Sequence, residues 1–266
     1  MTTPDGKVRI RFDATSVRES WDRAAASFDR AQTSGLDYYR LDFFGPAQIE
    51  LCGDVRGMAL VDVGCGSGYF ARAMAQAGAR VTGIDISPRM IALAERYETE
   101  APLGIAYRVG DAADIASQTG PASFDMATSC MALQDMPNVA TVLRGVYSVL
   151  RPGARFVASI THPCSDMPFR RWERDERGHK RWLCVDQYFE RSPIEYVWER
   201  FGERVTTTAM HVPLEDWFEW ILRAGFRLRA FREPRPTDEA LRRRPDLEDS
   251  ARVPYYAFFD LIKPDA

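Results

Sequence analysis

The sequence predicts an α/β fold: a seven-stranded, mostly parallel sheet with helices on both faces, an N-terminal helical cap and an aromatic-rich insert after the fifth strand. Short apolar runs alternate with amphipathic stretches between residues 58 and 160, which is the pattern of βα units. A helical pattern and two further apolar runs after residue 213 complete the sheet. With 266 residues, 45% of them hydrophobic, the chain can bury one sizeable core.

Four segments follow one another along the chain. The predicted cap occupies residues 1–54, where aromatic residues are spread through polar, helical sequence. The core covers 55–162, a lid insert covers 163–212, and a final helix and strand pair in 213–266 complete the core. Acidic and basic residues nearly balance in the charged segment 232–252, which we therefore expect to be a solvated loop.

The strands of the core are predicted where short apolar runs end in polar or glycine-rich sequence. These runs are Met58–Val63, Arg80–Ile84, Ile105–Val109, Phe124–Thr128 and Arg155–Ile160, followed later by Phe226–Phe231 and Tyr255–Ile262. Helices are expected between them. The one after the second strand has a clear start, because Ser87 can cap it and Pro88 suits its first position.

The insert is rich in aromatic residues. Phe, Trp and Tyr make up 8 of the 33 residues from 169 to 201, about 24% against 12% for the whole chain. Aromatic side chains combine a large apolar body with, in Trp and Tyr, a polar tip, so they suit the wall of a pocket. We expect a substrate lid whose wall includes some members of the set Trp172, Trp182, Tyr188, Tyr196 and Trp198.

A glycine-rich turn, Val61–Gly68, joins the first strand to the first helix. Glycines there let the backbone approach a ligand closely, and the turn lacks the Lys-Ser/Thr pair that a phosphate loop needs. Asp85 ends the second strand, where a carboxylate can accept both hydroxyls of a ribose, and Asp111 follows the third, near an adenine amino group. Ligand-facing features after three successive strands predict a Rossmann-like nucleoside site.

These motifs resemble the class I methyltransferases that use S-adenosyl-L-methionine (SAM). The matching motifs are V-D-V-G-C-G-S-G (61–68), G-I-D-I-S-P-R-M (83–90), G-D-A (110–112), F-D-M-A-T-S-C-M-A-L-Q-D-M (124–136) and V-L-R-P-G-A-R-F (149–156). The similarity is close over about residues 55–160 and looser over 211–226. It implies a metal-independent enzyme that takes SAM as cofactor and releases S-adenosyl-L-homocysteine.

The resemblance also implies where the cofactor binds. Gly64 and Gly66 would line the methionine and ribose parts of SAM, and Asp85 would hold the ribose diol. The other implied contacts are Ile86 beside adenine, Asp111 and Ala112 at the adenine edge, and Ser129 and Cys130 near the methionine amino group. Independently of the motifs, Arg40 in the cap could bind the methionine carboxylate, and ordinary packing within the cap is the alternative for this residue and for Tyr39.

Methyl transfer from a sulfonium depends mainly on position, and it needs a base only where the acceptor must lose a proton. The candidates for contact with the acceptor are His162, His211, Gln134 and Tyr39. Each histidine could equally be a loop residue that only donates or accepts a hydrogen bond. Many relatives have histidine after the fourth strand, where this chain has Gln134 and Asp135, so this loop could supply a base or only orient the acceptor.

The aromatic lid favours a small aromatic or heteroaromatic acceptor, methylated at carbon, nitrogen or oxygen, in natural-product or secondary metabolism. An RNA or protein methyltransferase is the first alternative, because the insert also carries several arginines. A non-catalytic SAM-binding module and a nicotinamide dehydrogenase are the others. A thermal shift with SAM or with NADH separates the last of these from the rest.

Bulk composition favours a small-molecule partner. The net charge is −3 and the pI about 5.8, so the chain as a whole does not attract nucleic acid or anionic lipid. No apolar run is long enough to span a bilayer and no signal sequence is evident, which predicts a cytoplasmic protein without a membrane partner. The five cysteines lack zinc-ligand spacing and are expected to be reduced, so no metal site is predicted. Both a monomer and a homodimer are compatible with the sequence.

Overall fold

The computed structural model describes residues 10–165, 169–201 and 203–265, without the side chains of Trp198 and Arg200. Its strands are β1 (Ala59–Val63), β2 (Arg80–Asp85), β3 (Ala106–Val109), β4 (Phe124–Cys130), β5 (Leu150–Thr161), β6 (Arg170–Arg174), β7 (Lys180–Val185), β8 (Ser192–Arg200), β9 (Glu203–His211), β10 (Arg227–Arg232) and β11 (Tyr256–Ile262). Its helices are α1 (Ala14–Thr33), α2 (Gly45–Cys52), α3 (Tyr69–Gln76), α4 (Pro88–Glu100), α5 (Ile115–Thr119), α6 (Val139–Val149), α7 (Leu214–Arg223) and α8 (Asp238–Arg243).

The central sheet has seven strands in the order β10-β11-β5-β4-β1-β2-β3. Strands β1 to β5 run parallel to their neighbours, whereas β11 is antiparallel to both β5 and β10. Neighbours β1 and β4 are far apart in the chain, so the direction of winding reverses between them. A crevice at the carboxyl ends of the strands is expected at such a switch point. The predicted seven-stranded, mostly parallel sheet is confirmed.

Both faces of the sheet are buried, which explains the continuous apolar runs of its parallel strands. Along β1, Val61 and Val63 belong to one core cluster with α6 and α7, and Leu60 belongs to the other with α2 and α3. The start of α4 is as predicted, because the Ser87 side chain accepts a hydrogen bond from Met90 N and proline follows at the first helical position.

The N-terminal segment is helical, as expected. Helix α1 begins at Asp13, whose side chain forms a reciprocal capping box with Ser16. A π-helical turn at Arg40–Phe44 leads into α2. Gln48 of α2 is fully buried and donates to the Ser129 carbonyl oxygen, and it accepts from the Ser159 hydroxyl, so this helix is hydrogen-bonded to β4 and β5. Residues 1–9, also part of the predicted cap, lie outside the described ranges.

The insert consists of two antiparallel hairpins, β6–β7 and β8–β9. Their charged residues interrupt the apolar alternation of a half-buried strand, so the sequence did not indicate them. Strand β9 packs beside α1. Arg30 of the helix forms a 2.7 Å ion pair with Glu203 and lies over the Phe201 ring at 5.1 Å. The insert and the cap therefore meet above the carboxyl edge of the sheet.

The expectation of a solvated loop over residues 232–252 is wrong. The segment contains α8 and a 3₁₀ turn at Pro245–Ala251. Ala240 and Leu247 are fully buried in the core cluster of α2 and α3, and the Asp249 carboxylate is buried against Lys180 and Tyr255. The sequence prediction relied on the balanced charge of the segment. It failed because a few apolar residues among the charged ones anchor the segment to the core.

Two further properties concern the whole described chain. All five cysteines are free thiols. Within the described ranges, no helix has the length and apolarity required to cross a bilayer.

A buried ion pair network joins the last strands to α2. Asp260 on β11 is 3% exposed and accepts hydrogen bonds from Arg155 at 3.0 Å and Arg229 at 3.1 Å. Arg155 also donates to the carbonyl oxygens of Leu51 and Cys52, at 2.9 Å each. The Asp260 carboxylate thus connects β11 to β5 and β10, and through Arg155 to the end of α2.

Replacing Asp260 with alanine should destabilise the protein by about 3 kcal/mol, because Arg155 would stay half-buried without its carboxylate. Urea unfolding followed by circular dichroism measures the change. Asp54→Ala is the matched control, since Asp54 pairs with Arg56 at 2.6 Å on the exposed surface and its loss should not move the urea midpoint. Equal midpoints for the two variants would contradict a structural role for the Asp260 network.

Candidate functional site

The glycine-rich turn after β1 is tied to the end of β2. The backbone N–H groups of Gly64 and Cys65 donate to the Ile84 carbonyl oxygen at 2.8 and 3.1 Å. Gly64 has a φ of +72°, and a Cβ there would lie 2.5 Å from the Ala132 Cβ, so this position requires glycine. The turn is therefore packed between the ends of β2 and β4.

Asp85 binds backbone groups from three strand ends. Its carboxylate accepts from Gly66 N at 2.8 Å and from Ser87 N at 2.9 Å, and its carbonyl oxygen accepts from Gly110 N at 2.9 Å. Burial raises the pKa of Asp85, and the two backbone hydrogen bonds oppose that shift. The side chain is thus oriented by the protein before any ligand binds.

A cavity of about 410 Å³ opens at the carboxyl edge where the winding reverses. It brings together every predicted cofactor residue except Ser129: Gly64, Gly66, Asp85, Ile86, Asp111, Ala112, Cys130 and Arg40 all line it. Asp111 also accepts a hydrogen bond from Ala113 N at 2.9 Å and so caps the short turn that follows β3. The three ligand-facing features predicted from the sequence share one cleft.

Ser129 is directed away from that cavity. Its hydroxyl donates to the Val63 carbonyl oxygen at 2.9 Å, and its own carbonyl oxygen accepts from Gln48 at 3.1 Å. Both groups are therefore used inside the sheet. The predicted contact of Ser129 with the methionine amino group has no support in this geometry, whereas the next residue, Cys130, does line the cavity.

Arg40 lies among three aromatic rings at the wall of the cavity. Its guanidinium is 5.3 Å from the Phe28 ring centre, 5.1 Å from Phe44 and 5.6 Å from Tyr69. It forms a 2.9 Å ion pair with Asp37. A guanidinium has five N–H donors, which is more than one carboxylate can accept, so Arg40 has donors for a ligand carboxylate as well. Its contact with SAM stays a prediction.

Asp62 is a cavity residue that the sequence prediction missed. It is 1% exposed, and its Oδ2 has no hydrogen-bond partner among the described residues, while Oδ1 accepts from Thr128 at 2.8 Å. Burial raises its pKa to about 7, against the opposing hydrogen bond from Thr128. A buried acceptor without a partner at the wall of a cavity indicates a position for a ligand donor.

Helix α1 covers the cavity from above. Val17, Trp21 and Phe28 are among the lining residues. Side-chain hydrogen bonds attach the helix to the core, among them Ser67 to Gln32 at 3.0 Å, Ser87 to Asp22 at 2.6 Å and Tyr97 to Asp29 at 2.5 Å. From the insert, Tyr196 and Thr207 also line the cavity. The site is thus enclosed by cap and lid.

Two of the four candidates for contact with the acceptor face the cavity. Gln134 is 6% exposed; its amide donates to the Met131 carbonyl oxygen at 2.7 Å, and its Oε1 has no partner among the described residues. Tyr39 lines the cavity beside Tyr38 and Tyr255. Burial raises the pKa of Tyr39, so its hydroxyl stays protonated and orients rather than deprotonates a substrate.

The two histidines do not line the cavity. His162 is buried behind the end of β5, where its Nδ1 accepts from Cys164 N and its Nε2 lies 3.1 Å from the Glu233 carboxylate. His211 Nε2 lies 3.1 Å from the Tyr188 carbonyl oxygen. His162 accepts from the backbone of Cys164 and His211 contacts the backbone of Tyr188, which matches the alternative interpretation of each as a loop hydrogen-bonding residue. The structure therefore gives no support to either as a base.

The lid aromatics differ in location. Tyr196 lines the cavity, and Trp172 lines a smaller neighbouring chamber. Tyr188 accepts a hydrogen bond from Leu214 N at 2.9 Å and so holds the insert to α7. Trp182 is 71% exposed and forms no wall. The side chain of Trp198 does not belong to the part of the chain that the structure describes.

Comparison with known proteins agrees with this geometry. Residues 61–158 match a methyltransferase domain family. A ubiquinone biosynthesis O-methyltransferase of Xanthomonas campestris pv. campestris is 36% identical over 124 residues, and one of Xanthomonas euvesicatoria pv. vesicatoria is 34% identical over 106. These matches cover 47% and 40% of this chain and only 49% and 44% of the relatives, so the chain spans about half the length of the curated relatives it matches.

A solved structure extends the comparison to most of the fold. An S-adenosylmethionine-dependent methyltransferase from Mesorhizobium loti superposes with a TM-score of 0.69 at 28% identity, over 82% of this chain and 96% of that one. Residues 61–158 therefore contain a methyltransferase domain, and the fold around them is similar to that of a SAM-dependent methyltransferase. The predicted resemblance to class I methyltransferases and the prediction of SAM as cofactor are confirmed.

The residues of this methyltransferase fit SAM. Gly66 lines the cavity with a φ of +55°, and a Cβ there would meet nothing within 4 Å, so the space in front of it belongs to the cavity. Asp85 and Asp111 offer carboxylate oxygens to a ribose and an adenine amino group, and Arg40 offers donors to a carboxylate. The unpartnered Oδ2 of Asp62 suits a cationic amino group.

Asp85→Ala should weaken SAM binding by tenfold or more. The variant loses charge-assisted hydrogen bonds to the ribose, each worth about 1.5–3 kcal/mol, and it releases Gly66 N from its partner. Titration calorimetry with SAM measures the loss. The control is Asp54→Ala on the exposed surface, for which SAM affinity should be unchanged. Wild-type affinity in the Asp85 variant would refute its role as a cofactor ligand.

Asp62 should make the stability of the unliganded methyltransferase depend on pH. Burial raises the pKa of Asp62 from its ordinary value of 3.8 to about 7, so the native state binds the proton more tightly than the unfolded chain does. The contribution of the Asp62 proton to the free energy of unfolding is therefore fully present below pH 4, and it is lost as the pH rises through 7. Asp62→Asn keeps the Thr128 hydrogen bond without the titration. Between pH 5 and pH 8 the urea midpoint should fall more for the wild type than for this variant. An equal fall in both proteins would argue against a proton on Asp62.

Proposed function

We propose that this methyltransferase transfers the methyl group of SAM to a hydroxyl group of a small aromatic molecule that binds in the same cavity. One observation carries the proposal: the predicted nucleoside-binding residues, an aromatic wall and the unpartnered Oε1 of Gln134 share one cavity, which α1 and β9 help to line. The wall includes Tyr39, Phe44, Tyr69, Tyr196 and Tyr256. When bound, SAM supplies an electrophilic methyl group.

Enclosure favours a small acceptor over RNA or protein. The cavity lies beneath the cap helix, and Arg40 is the one cation among its described lining residues, already paired with Asp37. A nucleic-acid methyltransferase needs a basic track that leads to the site. The relatives named for ubiquinone biosynthesis support oxygen as the acceptor atom and a biosynthetic role. Their names refer to ubiquinone biosynthesis and do not favour the predicted role in natural-product or secondary metabolism.

Gln134 is suited to orient the acceptor. Its amide nitrogen is held by the Met131 carbonyl oxygen, which fixes the side chain and leaves Oε1 to accept a hydrogen bond from the acceptor hydroxyl. A buried acceptor atom of this kind favours substrates with a matching donor, because any other substrate leaves it unpaired. An amide cannot accept the proton, so a different group must do so.

Asp135 is our proposed proton acceptor. Five carboxylates line the cavity: Asp37, Asp62, Asp85, Asp111 and Asp135. Asp62 lies in β1, and Asp85 and Asp111 lie at the ends of β2 and β3, on the predicted cofactor side, while Asp37 precedes the π-helical turn at Arg40–Phe44. Asp135 follows Gln134 directly in the 3₁₀ turn after β4, so both residues can reach the same hydroxyl.

Methyl transfer to catechol, followed by mass spectrometry of the methylated product, tests these roles. Asp135→Asn should lower kcat by 100-fold or more, the usual contribution of a general base, with SAM affinity unchanged. Gln134→Ala should lower kcat/KM by about tenfold, which corresponds to one hydrogen bond. Asp54→Asn serves as the surface control.

Two results would contradict the proposal. Full kcat in Asp135→Asn across the pH range would remove the proton acceptor. SAM binding without methylation of catechol or of other hydroxylated aromatics would favour the non-catalytic SAM-binding module instead.

A further inference from the structure

A second chamber adjoins the cofactor cavity on the side of the insert. It has a volume of about 340 Å³ and is lined by Tyr39, Thr161, Arg170, Trp172, Lys180, Tyr255 and Tyr256. Tyr39, Thr161 and Tyr256 line the cofactor cavity as well, so the two spaces share these walls. The proposed methyl transfer does not involve this chamber. We call it the anion chamber because two cations, Arg170 and Lys180, line it.

The anion chamber is cationic. Arg170 and Lys180 line it, and among its described lining residues none carries a carboxylate. Asp249, which is buried behind Lys180, forms an ion pair with that ammonium and accepts from the Tyr255 hydroxyl at 2.8 Å. An ammonium has three donors and a guanidinium five, so the two cations can bind an oxyanion in addition to their protein partners.

Aromatic rings hold the two cations in place. The guanidinium of Arg170 lies 5.8 Å from the centre of the Tyr255 ring, and the Lys180 ammonium lies 5.3 Å from that of Trp172. Arg252 lies 5.4 Å from the same Trp172 ring. Trp172 Nε1 contacts the Tyr255 hydroxyl at 3.3 Å. Rigid cations beside apolar rings suit a planar anion attached to an aromatic body.

The position of the anion chamber relates it to the methyl acceptor. Thr161 ends β5, and β5 lies two strands from β1, with β4 between them. Neighbouring strands are about 4.8 Å apart, so the chamber lies roughly 10 Å from the glycine turn along the sheet edge. Tyr39 and Tyr256 line both spaces, so an aromatic acceptor beside them can direct its hydroxyl group toward the cofactor cavity and its acidic group toward Arg170.

We propose that the anion chamber binds a carboxylate or similar oxyanion of the methyl acceptor, which makes the substrate class hydroxylated aromatic acids. The inference rests on the proposed function, because it assumes that the acceptor occupies the shared wall of both spaces. Arg170 and Lys180 are then specificity-determining residues. They act on the far end of the acceptor and do not touch the reacting atoms.

Titration calorimetry of the full chain, saturated with S-adenosyl-L-homocysteine, tests the proposal with two probes that differ only in charge. The probes are 3,4-dihydroxybenzoate and its neutral isostere 3,4-dihydroxybenzamide. We expect the wild type to bind the acid at least tenfold more tightly than the amide. Arg170→Gln should abolish this preference, whereas Arg171→Gln should retain it, because Arg171 is exposed on the same hairpin and paired with Glu173.

Lys180→Gln provides a second variant in case Arg170→Gln alters folding, and melting temperatures check both. Equal affinity for the two probes, no measurable binding of either, or a preference that survives both variants would overturn the anion chamber. Preferential binding of the acid without any methyl transfer would refute the proposed function and support the chamber. Methylation of catechol without a preference for the acid would support the proposed function and refute the anion chamber.

Discussion

The cofactor edge of this methyltransferase depends on Asp85. Its carboxylate and carbonyl oxygen accept from Gly66, Ser87 and Gly110, so one residue connects the turn after β1, the start of α4 and the end of β3. Parallel strands are joined by hydrogen bonds along their length, but their carboxyl ends leave loops that need other partners. Because Asp85 supplies those partners, the glycine turn, the start of α4 and the end of β3 keep a fixed geometry around the cavity.

The sheet and the cofactor residues are predictable from the sequence for a physical reason. Strands buried on both faces need continuous apolar runs, and a nucleoside at a switch point needs glycine and acidic residues at the following turns. The site residue that escaped prediction, Asp62, lies inside such a run, where a carboxylate gives no periodic pattern of its own. Its role depends on burial and on the unpartnered Oδ2, which only coordinates reveal.

The insert was harder to predict because its hairpins are stabilised by ion pairs and ring contacts rather than by an apolar face. Aromatic content indicated a lid, but it did not distinguish Tyr196 in the cavity from Trp182 at the surface. The position of His162 after β5 suggested a catalytic role, yet the chain turns away there and the ring contacts Cys164 and Glu233. Position along a strand end therefore identifies candidates, and the path of the following loop decides among them.

Helix α1 lies over the cavity and is attached to the core by polar side chains at Asp22, Asp29 and Gln32. Because Val17, Trp21 and Phe28 of this helix line the cavity, exchange of SAM for its spent product on this side of the cavity requires the helix to detach. Such a step proceeds at a rate set by the breaking of these hydrogen bonds and not by the acceptor. Turnover would then share a common upper limit for good and poor acceptors alike, imposed by the cap.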